Sequence, residues 1–302
     1  MQKQYTHSGH SRRDFLRTAA LATGGLLTAA YTRLSFAEEG ASKTARWALL
    51  SDTHVSQDPT EKNRQFVIND NMKTVVAQVL EAKPQGALIT GDLARLEGRV
   101  GDYEQLRAIV KPLRDALPGA FALGNHDDRR NFVKLLAPQV GELAPLEKQV
   151  RIIDLDPAGV RFICLDSLLY VNRVAGFLGK PQRRWLGQTL DAAPDRPTFL
   201  FVHHTFGESE SNLLDTDEFL AVIAPRKSVK AVFYGHSHEY RYSRKEDIHF
   251  VNIPAIGYSF NDKEPVGWVE GKFTAEGGDF TLHAFASNTA DDGKTKSLSW
   301  RS

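Results

Sequence analysis

Short apolar runs that alternate with amphipathic segments constrain the fold of this chain more than any other feature. Each run lacks a polar face, which is typical of a strand that is buried on both sides of a sheet. The predicted strands lie at residues 45–54, 86–92, 119–127, 197–204 and 229–238. Apolar residues recur at helical spacing between them, and the predicted helices lie at residues 67–82, 102–117, 180–190 and 215–224. The alternation predicts an α/β fold.

The C-terminal part of the chain is rich in β patterns and poor in helical ones. Residues 248–257, 267–278 and 279–285 carry β-forming side chains with glycine turns between them. No proline-rich or serine-rich linker divides residues 38–286, so we predict a single domain, an α/β sandwich that closes with antiparallel strands. Residues 287–302 are polar, which predicts a loose C-terminal tail.

Residues 1–37 have the pattern of an export leader. Arg12 and Arg13 follow a serine and precede a Phe-Leu pair, an Ala/Gly/Thr-rich apolar run comes next, and small residues suited to peptidase cleavage stand before Glu38. The pattern resembles a twin-arginine signal, which implies that the twin-arginine machinery exports the folded chain, to the periplasm or beyond. The alternative is an uncleaved anchor, but the apolar run is short for a membrane span, and we expect none in the mature chain.

Charge and cysteine content exclude several kinds of partner and site. The whole chain has a formal net charge of +1, and residues 1–37 hold five basic and one acidic side chain, which leaves −3 for the remainder. A mildly acidic chain lacks the basic surface that binding to a phosphate backbone requires, so we expect no nucleic-acid partner. The single cysteine, Cys164, excludes an internal disulfide and leaves His, Asp and Asn as metal ligands.

Five polar motifs each follow directly on an apolar run. They are Asp52-Thr53-His54, Gly91-Asp92, Gly124-Asn125-His126-Asp127, His203-His204 and Gly235-His236-Ser237-His238. The carboxyl ends of parallel strands meet at one edge of a sheet, where α/β proteins bind their ligands. Residues i and i+2 of an extended strand face the same side, so Asp52 is expected to face a common centre with His54, and His236 with His238. The motifs predict a metal site.

The number of donors favours two metal ions over one. Seven nitrogen and oxygen donors exceed what a single tetrahedral site uses. Asp92 stands alone at its strand end, so it is the candidate for a carboxylate that bridges both ions. Two ions about 3.5–4 Å apart lower the pKa of a shared water and neutralise the charge of a phosphoryl group. Such ligands accept iron, manganese or zinc, and the sequence does not discriminate among these metals.

The motif series, in this order and at these strand ends, resembles that of the calcineurin-like metallophosphoesterases over essentially the whole chain after residue 37. The resemblance implies a four-layer α/β/β/α sandwich with mixed sheets. It also implies two ligand sets that share one carboxylate. The first set is Asp52, His54, Asp92 and His238, and the second is Asp92, Asn125, His203 and His236.

The resemblance gives His126 a role in catalysis and not in metal binding. It implies that His126 faces the substrate and protonates the leaving oxygen or stabilises the phosphoryl charge, while Asp127 orients its ring. A histidine that acts as a general acid needs such an orienting group. His203 takes the family's first-histidine position and is the predicted ligand, whereas His204 is expected to line the cleft or support a ligand.

Residues 167–190, together with 199–204, look most like the bacterial class III cyclic-nucleotide phosphodiesterases and glycerophosphodiesterases. That branch usually reads His-His-Pro-Pro, whereas Thr205 and Phe206 follow the two histidines here. The predicted metal ligand, His203, should be unaffected by this change. The pocket wall beyond it differs, so specificity for cyclic nucleotides is not carried over.

The sequence therefore predicts an exported phosphoesterase with two metal ions, in which a metal-activated hydroxide attacks the phosphorus of a small-molecule monoester or diester. Two alternatives stay open. One is a non-catalytic module that binds metal or phosphate on the same scaffold, and the other is a mononuclear hydrolase of non-phosphate esters. The complete set of donors, with His126 and Asp127 beside it, favours catalysis over the first.

Overall fold

The computed structural model describes residues 43–156 and 158–302. Two mixed β-sheets form the centre of this part of the chain. The predicted leader, residues 1–37, lies outside these ranges. The first sheet has six strands, in spatial order β15 (Thr295–Ser299), β14 (Gly277–Ser287), β13 (Pro265–Phe273), β1 (Ala45–Leu50), β4 (Gly86–Ile89) and β5 (Gly119–Phe121). The second has seven, in order β11 (Arg241–Lys245), β12 (Ile248–Asn252), β10 (Val229–Tyr234), β9 (Thr198–Phe201), β8 (Val160–Cys164), β7 (Arg151–Leu155) and β6 (Glu142–Leu143).

The central strands of each sheet run parallel. In the first sheet β1 pairs in parallel with β4, and β4 with β5. In the second sheet β8, β9, β10 and β12 are parallel neighbours. Antiparallel strands flank both groups, and a two-stranded ribbon of β2 (Lys62–Asn63) and β3 (Phe66–Val67) stands apart. The carboxyl ends of the parallel strands therefore lie together at one edge of each sheet.

Alternation along the central strands explains why they read as continuous apolar runs. Trp47 and Leu49 of β1 pack into the core between the two sheets, while Ala48 and Leu50 pack into a second core on the other face. The core between the sheets contains six phenylalanine side chains, Phe162, Phe199, Phe201, Phe233, Phe273 and Phe280. Both faces of these strands are buried, so neither needs a polar side chain.

Helices cover the outer face of each sheet. They are α1 (Ile68–Ala82), α2 (Val100–Ala116), α3 (Arg129–Leu136), α4 (Lys180–Asp191) and α5 (Thr216–Ile223). The apolar side chains of α1, α2 and α3 share a buried cluster with the first sheet, and those of α4 and α5 share one with the second. The predicted four-layer α/β/β/α sandwich is confirmed. All described residues belong to one compact unit, and none of their helices is long and apolar enough to cross a membrane.

The prediction of a loose tail at residues 287–302 is wrong. Residues Thr295–Ser299 form β15, which pairs along β14 at the edge of the first sheet. Leu298 is the one buried side chain of this strand, because an edge strand can leave most of its surface to water. Its polar composition therefore resembles that of a tail. Beyond the strand, Trp300 packs against Phe199 with ring centroids 5.1 Å apart.

Candidate metal centre

The predicted ligands converge where the parallel strands of the two sheets end. Those that follow strands of the first sheet are Asp52, His54, Asp92 and Asn125. Those that follow strands of the second are His203, His236 and His238. His236 is partly buried, and the other six are at most 2% exposed. The centre thus lies between the two sheets, and neither sheet supplies all of its donors.

The backbone at most of these positions is left-handed. The angle φ lies between +47° and +72° at Asp52, His54, Asp92, His236 and His238. The strands end before the motifs, β1 at Leu50 and β10 at Tyr234, so the expectation that strand alternation directs these side chains is wrong. The side chains nevertheless converge, because the left-handed turns direct them there. Left-handed backbone at non-glycine residues is costly and is concentrated at functional sites.

Two motif glycines let neighbouring loops approach the carboxylates. A Cβ atom at Gly124 would overlap Oδ1 of Asp92. A Cβ atom at Gly235 would overlap the Ser51 hydroxyl and Oδ2 of Asp52. Any larger residue at either position would push a carboxylate away from the centre.

Asp92 has one oxygen fixed by the chain and one directed at the histidines. Its Oδ1 accepts a 2.9 Å hydrogen bond from the backbone N–H of His126. Its Oδ2 lies 3.3 Å from Nε2 of His203 and 3.7 Å from Nε2 of His54. These two histidines come from different sheets, so Asp92 stands between them, as expected of a bridging carboxylate.

Asp52 is held in a similar way. The backbone N–H of His236 donates to both of its oxygens, at 3.0 and 3.2 Å, and the Ser51 hydroxyl donates to Oδ2. Its Oδ1 lies 3.4 Å from Nε2 of His238 and 3.9 Å from Nε2 of His203. Burial raises the pKa of the Asp52 carboxyl, but the neighbouring His203 and His238 outweigh this effect and lower it overall.

The Nε2 atoms of His54 and His238 lie close enough together to bind one cation. Nδ1 of His54 lies 3.2 Å from the carbonyl oxygen of Arg95, and Nδ1 of His238 lies 2.7 Å from that of Tyr258. A ring nitrogen that contacts a carbonyl oxygen carries the proton, which leaves Nε2 as a lone pair. The two Nε2 atoms are 3.0 Å apart. Two lone pairs repel at this distance, and a metal ion bound by both nitrogens and by Asp52 would remove the repulsion.

The second group of donors contains buried polar atoms without hydrogen-bond partners. These are Oδ1 of Asn125 and both ring nitrogens of His203. Nε2 of His236 lies 3.0 Å from the carbonyl oxygen of Ser211, which leaves its Nδ1 free to bind an ion. Buried polar atoms without partners are costly, and metal ligation would satisfy them.

Within the second group, the carboxylates favour a positive charge at His203. Burial lowers the pKa of His203, yet the carboxylates of Asp92 and Asp52 outweigh burial and raise it to about 9. His236, farther from the carboxylates, has a pKa lowered by burial to about 4. Ligand atoms of Asp52, His54 and His238 lie within 4.8 Å of one another, as do those of Asp92, His203 and His236. The residues present therefore fit metal ions.

His126 lies in the cleft, but the prediction that Asp127 orients its ring is wrong. Nδ1 of His126 lies 2.8 Å from the carbonyl oxygen of Leu96, which fixes the ring. Its Nε2 lies 4.0 Å from Oδ2 of Asp92. The ligand atoms of His126, Asp92 and His54 all lie within 4.8 Å of one another, close enough to share a metal ion. The Asp127 carboxylate is buried and accepts from backbone N–H groups instead. The donors to Asp127 are the amides of Leu93, Ala94 and Gly124 and the hydroxyl of Tyr103.

His204 is fully buried beside the predicted ligands. Its Nδ1 lies 2.7 Å from the Ser167 hydroxyl, and its ring packs 5.1 Å from that of His203 and 4.8 Å from that of His236. Burial, with His203 and His236 nearby, lowers its pKa well below the usual value. The sequence left two roles open for His204. Its ring packs beside the ligand rings and is not among the residues that line the cleft, which fits support of a ligand.

The centre opens into a cleft of about 540 Å³. Its wall includes Thr205 and Phe206, the two residues that follow His203 and His204. Thr205 donates a hydrogen bond to the Asn212 side chain, which also lines the cleft. Phe206 packs onto Phe219 and so belongs to the second sheet's outer core as much as to the wall.

Several groups that orient this centre were not predicted. The carbonyl oxygens of Arg95, Leu96, Ser211 and Tyr258 each hold one histidine ring, and a carbonyl carries no signal in the sequence because every residue has one. The aromatic rings of Tyr258 and Phe260 also pack on His238. Their only sequence signal is two aromatic residues in a short polar segment, "GYSFND".

Comparison with known proteins agrees with this geometry. Residues 45–240 match the sequence profile of the Calcineurin-like phosphoesterase family. The chain belongs to this family. A glycerophosphodiester phosphodiesterase from Enterobacter lignolyticus is 26% identical over 230 residues, 72% of this chain and 81% of the relative. A cAMP/cGMP dual specificity phosphodiesterase from Mycobacterium tuberculosis is 29% identical over 214 residues, 68% of this chain and 64% of the relative.

The fold of this chain is also found in a solved structure. A dimetal phosphatase from Danio rerio superimposes with a TM-score of 0.66 at 13% identity, covering 85% of this chain and 99% of that one. The family, its phosphodiesterase relatives and the clustered His and Asp donors make this chain a metal-dependent phosphoester hydrolase.

Proposed function

We propose that the centre holds two metal ions and hydrolyses phosphodiesters of small molecules. The observation that carries the proposal is the position of Asp92 between two groups of donors. Its Oδ2 lies near His54, which shares the first group with Asp52 and His238, and nearer still to His203 of the second group. One tetrahedral ion would leave several of these buried donors without a partner.

The bound ions would supply an activated water and neutralise charge on the phosphoryl group. The chain's own contribution is positional. The carbonyl oxygens of Arg95 and Tyr258 fix the proton on Nδ1 of His54 and His238, so both rings present a lone pair to the centre. The carbonyl oxygen of Leu96 holds Nδ1 of His126 and directs Nε2 toward the cleft, where a ring protonated at both nitrogens would be placed to give a proton to a departing alcohol.

A diester fits the charge of the cleft better than a monoester does. None of the described residues that line it is Lys or Arg. Its one carboxylate besides Asp92 is Glu239, which pairs with Arg241. A monoester carries up to two negative charges at neutral pH, and this wall offers no fixed cation to balance the second. A diester carries one, and the relatives' names as phosphodiesterases support the same preference.

Metal content and turnover test the proposal together. We expect wild-type protein to bind two equivalents of Mn, Zn or Fe by elemental analysis, and to hydrolyse bis(p-nitrophenyl) phosphate faster than p-nitrophenyl phosphate. Asp92→Ala should lose both ions and about a thousandfold or more of the turnover. Asp115→Asn removes a carboxylate from an exposed ion pair on α2 and should change neither quantity.

Other results would identify the alternatives. One equivalent of metal with full turnover would show a mononuclear hydrolase. Two equivalents without turnover of any ester would show a non-catalytic binding module. Asp92→Ala that keeps full activity after metal depletion would contradict the proposal itself.

We further propose that residues 1–37 export the chain by the twin-arginine route. The support is the sequence pattern around Arg12 and Arg13. In a bacterial host, Arg12→Lys with Arg13→Lys should retain the full-length chain in the cytoplasm, measured by cell fractionation and immunoblotting. The control, Arg17→Lys with Arg33→Lys, keeps the pair and should be exported like the wild type. Export of the first double variant at the wild-type level would exclude this route.

A further inference from the structure

An exposed aromatic ring stands at the wall of the cleft in a fixed orientation. Phe260 is 61% exposed and lines the cleft. One face of its ring stacks on the His238 ring, with centroids 4.3 Å apart and an interplanar angle of 20°. The Tyr258 ring meets it edge-on at 5.7 Å and 76°. The rest of the Phe260 ring is apolar and open to the cleft.

The segment that carries Phe260 is anchored on both sides of the ring. Before it, the carbonyl oxygen of Tyr258 accepts from His238, and that of Ser259 accepts a 3.0 Å bond from Arg64. After it, Asp262 pairs with the same guanidinium at 2.6 Å. The ring is therefore ordered before any ligand arrives, so a ligand that packs on it does not have to order it.

We propose that Phe260 is a stacking surface for a neutral aromatic group on one alcohol of the substrate. The inference rests on the proposed phosphodiesterase activity and adds the class of substrate to it. A planar aromatic group gains from ring stacking beyond the apolar area that it buries. The group is neutral because the described wall has no Lys or Arg to pair with a second anionic charge. A nucleobase and a simple aryl ring share this chemistry.

Binding of three hydrolysis-resistant monoanions to the metal-loaded protein tests the stacking. The probes are methyl(phenyl)phosphinate, methyl(cyclohexyl)phosphinate and 5′-deoxythymidine that carries a methylphosphinate group on C5′. None has a P–O–C bond at phosphorus to cleave, and binding is measured by isothermal titration calorimetry. The first two carry rings of similar size and differ in aromaticity. We expect the phenyl compound to bind about three- to tenfold more tightly than the cyclohexyl compound. The thymidine phosphinate then compares a nucleobase with a simple aryl ring.

Variants at Phe260 separate stacking from simple packing. Phe260→Leu should bring the phenyl-to-cyclohexyl affinity ratio to about one while metal content and cyclohexyl affinity stay unchanged. Phe260→Tyr keeps the ring and should keep the ratio. Leu143→Ala removes an exposed apolar side chain of β6 that does not line the cleft, and should also keep the ratio.

Two results would overturn the stacking role. One is equal affinity of wild-type protein for the phenyl and cyclohexyl compounds. The other is a Phe260→Leu variant that loses metal and weakens both ligands alike, which would show that the ring only supports His238. Turnover of bis(p-nitrophenyl) phosphate is measured on the same samples. If wild-type protein turns it over but shows no aromatic preference, only the stacking proposal fails, whereas absent turnover rejects the phosphodiesterase itself.

Discussion

At the scale of single residues, three consecutive side chains after β5 have three different functions. His126 faces the cleft and is held by the carbonyl oxygen of Leu96. Asp127 is buried and joins the loops after β4 and β5 through their backbone amides. Asp128 caps α3 by accepting from the amides of its first turn. Three neighbours in sequence thus line the cleft, hold two loops together and cap a helix, respectively.

His126→Ala should slow hydrolysis in a way that depends on the leaving group. If His126 gives a proton to the departing oxygen, its loss costs about 10²–10⁴ in kcat for an alkyl alcohol, which needs that proton. p-Nitrophenolate leaves without it, so the loss should be much smaller. We would measure kcat for a p-nitrophenyl and an alkyl diester, with metal content unchanged. Equal losses for both substrates would assign His126 to stabilising the phosphoryl charge instead.

Asp127→Ala should destabilise the fold far more than the adjacent Asp128→Ala. Removing the Asp127 carboxylate leaves several buried donors without an acceptor, which costs roughly 3–5 kcal/mol. Loss of the Asp128 helix cap costs about 1 kcal/mol. Urea unfolding of both variants gives the comparison. Similar unfolding free energies for the two would refute the assignment of Asp127 to loop geometry.

At the scale of elements, the four predicted helices lie close to their predicted bounds, the helix α3 was not predicted, and the strands that end at the polar motifs were predicted too long. The helix predicted at 67–82 is Ile68–Ala82, and the one predicted at 180–190 is Lys180–Asp191. The strand predicted at 45–54 ends at Leu50. The helical spacing of apolar residues stops where a helix ends, so the end can be predicted. A strand buried on both faces has no such periodic pattern, so the sequence does not show where the strand ends and its loop begins. The left-handed turns fall in that loop. Asp52 and His54 are of residue types that adopt a positive φ more often than most, but even these types adopt it too rarely for the sequence to predict it.

The site was predicted better than the backbone that forms it. The donor types at strand ends identified the residues that converge, because their chemistry is visible in the sequence. What the sequence could not show is which groups orient the rings. Asp127 was assigned to His126 because the two are adjacent, but a backbone carbonyl 30 positions away does this instead.

The C-terminal strand is joined to the second sheet through Arg301. This buried guanidinium donates to the carbonyl oxygens at the end of α5, at the start of β10 and in the turn between β11 and β12. Arg301→Ala should therefore lower the unfolding free energy by roughly 2–4 kcal/mol. Lys296→Ala, at an exposed position of β15, should change it by less than about 0.5 kcal/mol. Thermal unfolding that does not distinguish the two would disprove this role.

At the scale of the whole molecule, the proposed metal centre would join the two sheets. The first sheet supplies the loops with Asp52 and Asp92, and the second supplies those with His203 and His238. A chelator should therefore destabilise the whole fold and not a single loop. With metal at about 1,000 times its Kd the linkage is worth about 4 kcal/mol, or a fall in Tm of about 8–16 °C. Asp92→Ala should show no such response in calorimetry, and a wild-type Tm indifferent to chelator would contradict the linkage.

The aromatic core between the sheets also contains the only cysteine of the chain, Cys164, which is fully buried. Burial raises the pKa of its thiol to about 12, so almost no thiolate exists at pH 8. An aromatic disulfide reagent should then label one thiol per chain only as fast as the sheets come apart, and chelator should accelerate this labelling. The natural cysteine thus reports the rate at which the two sheets separate, and the colour change of the reagent measures that rate without any engineered probe.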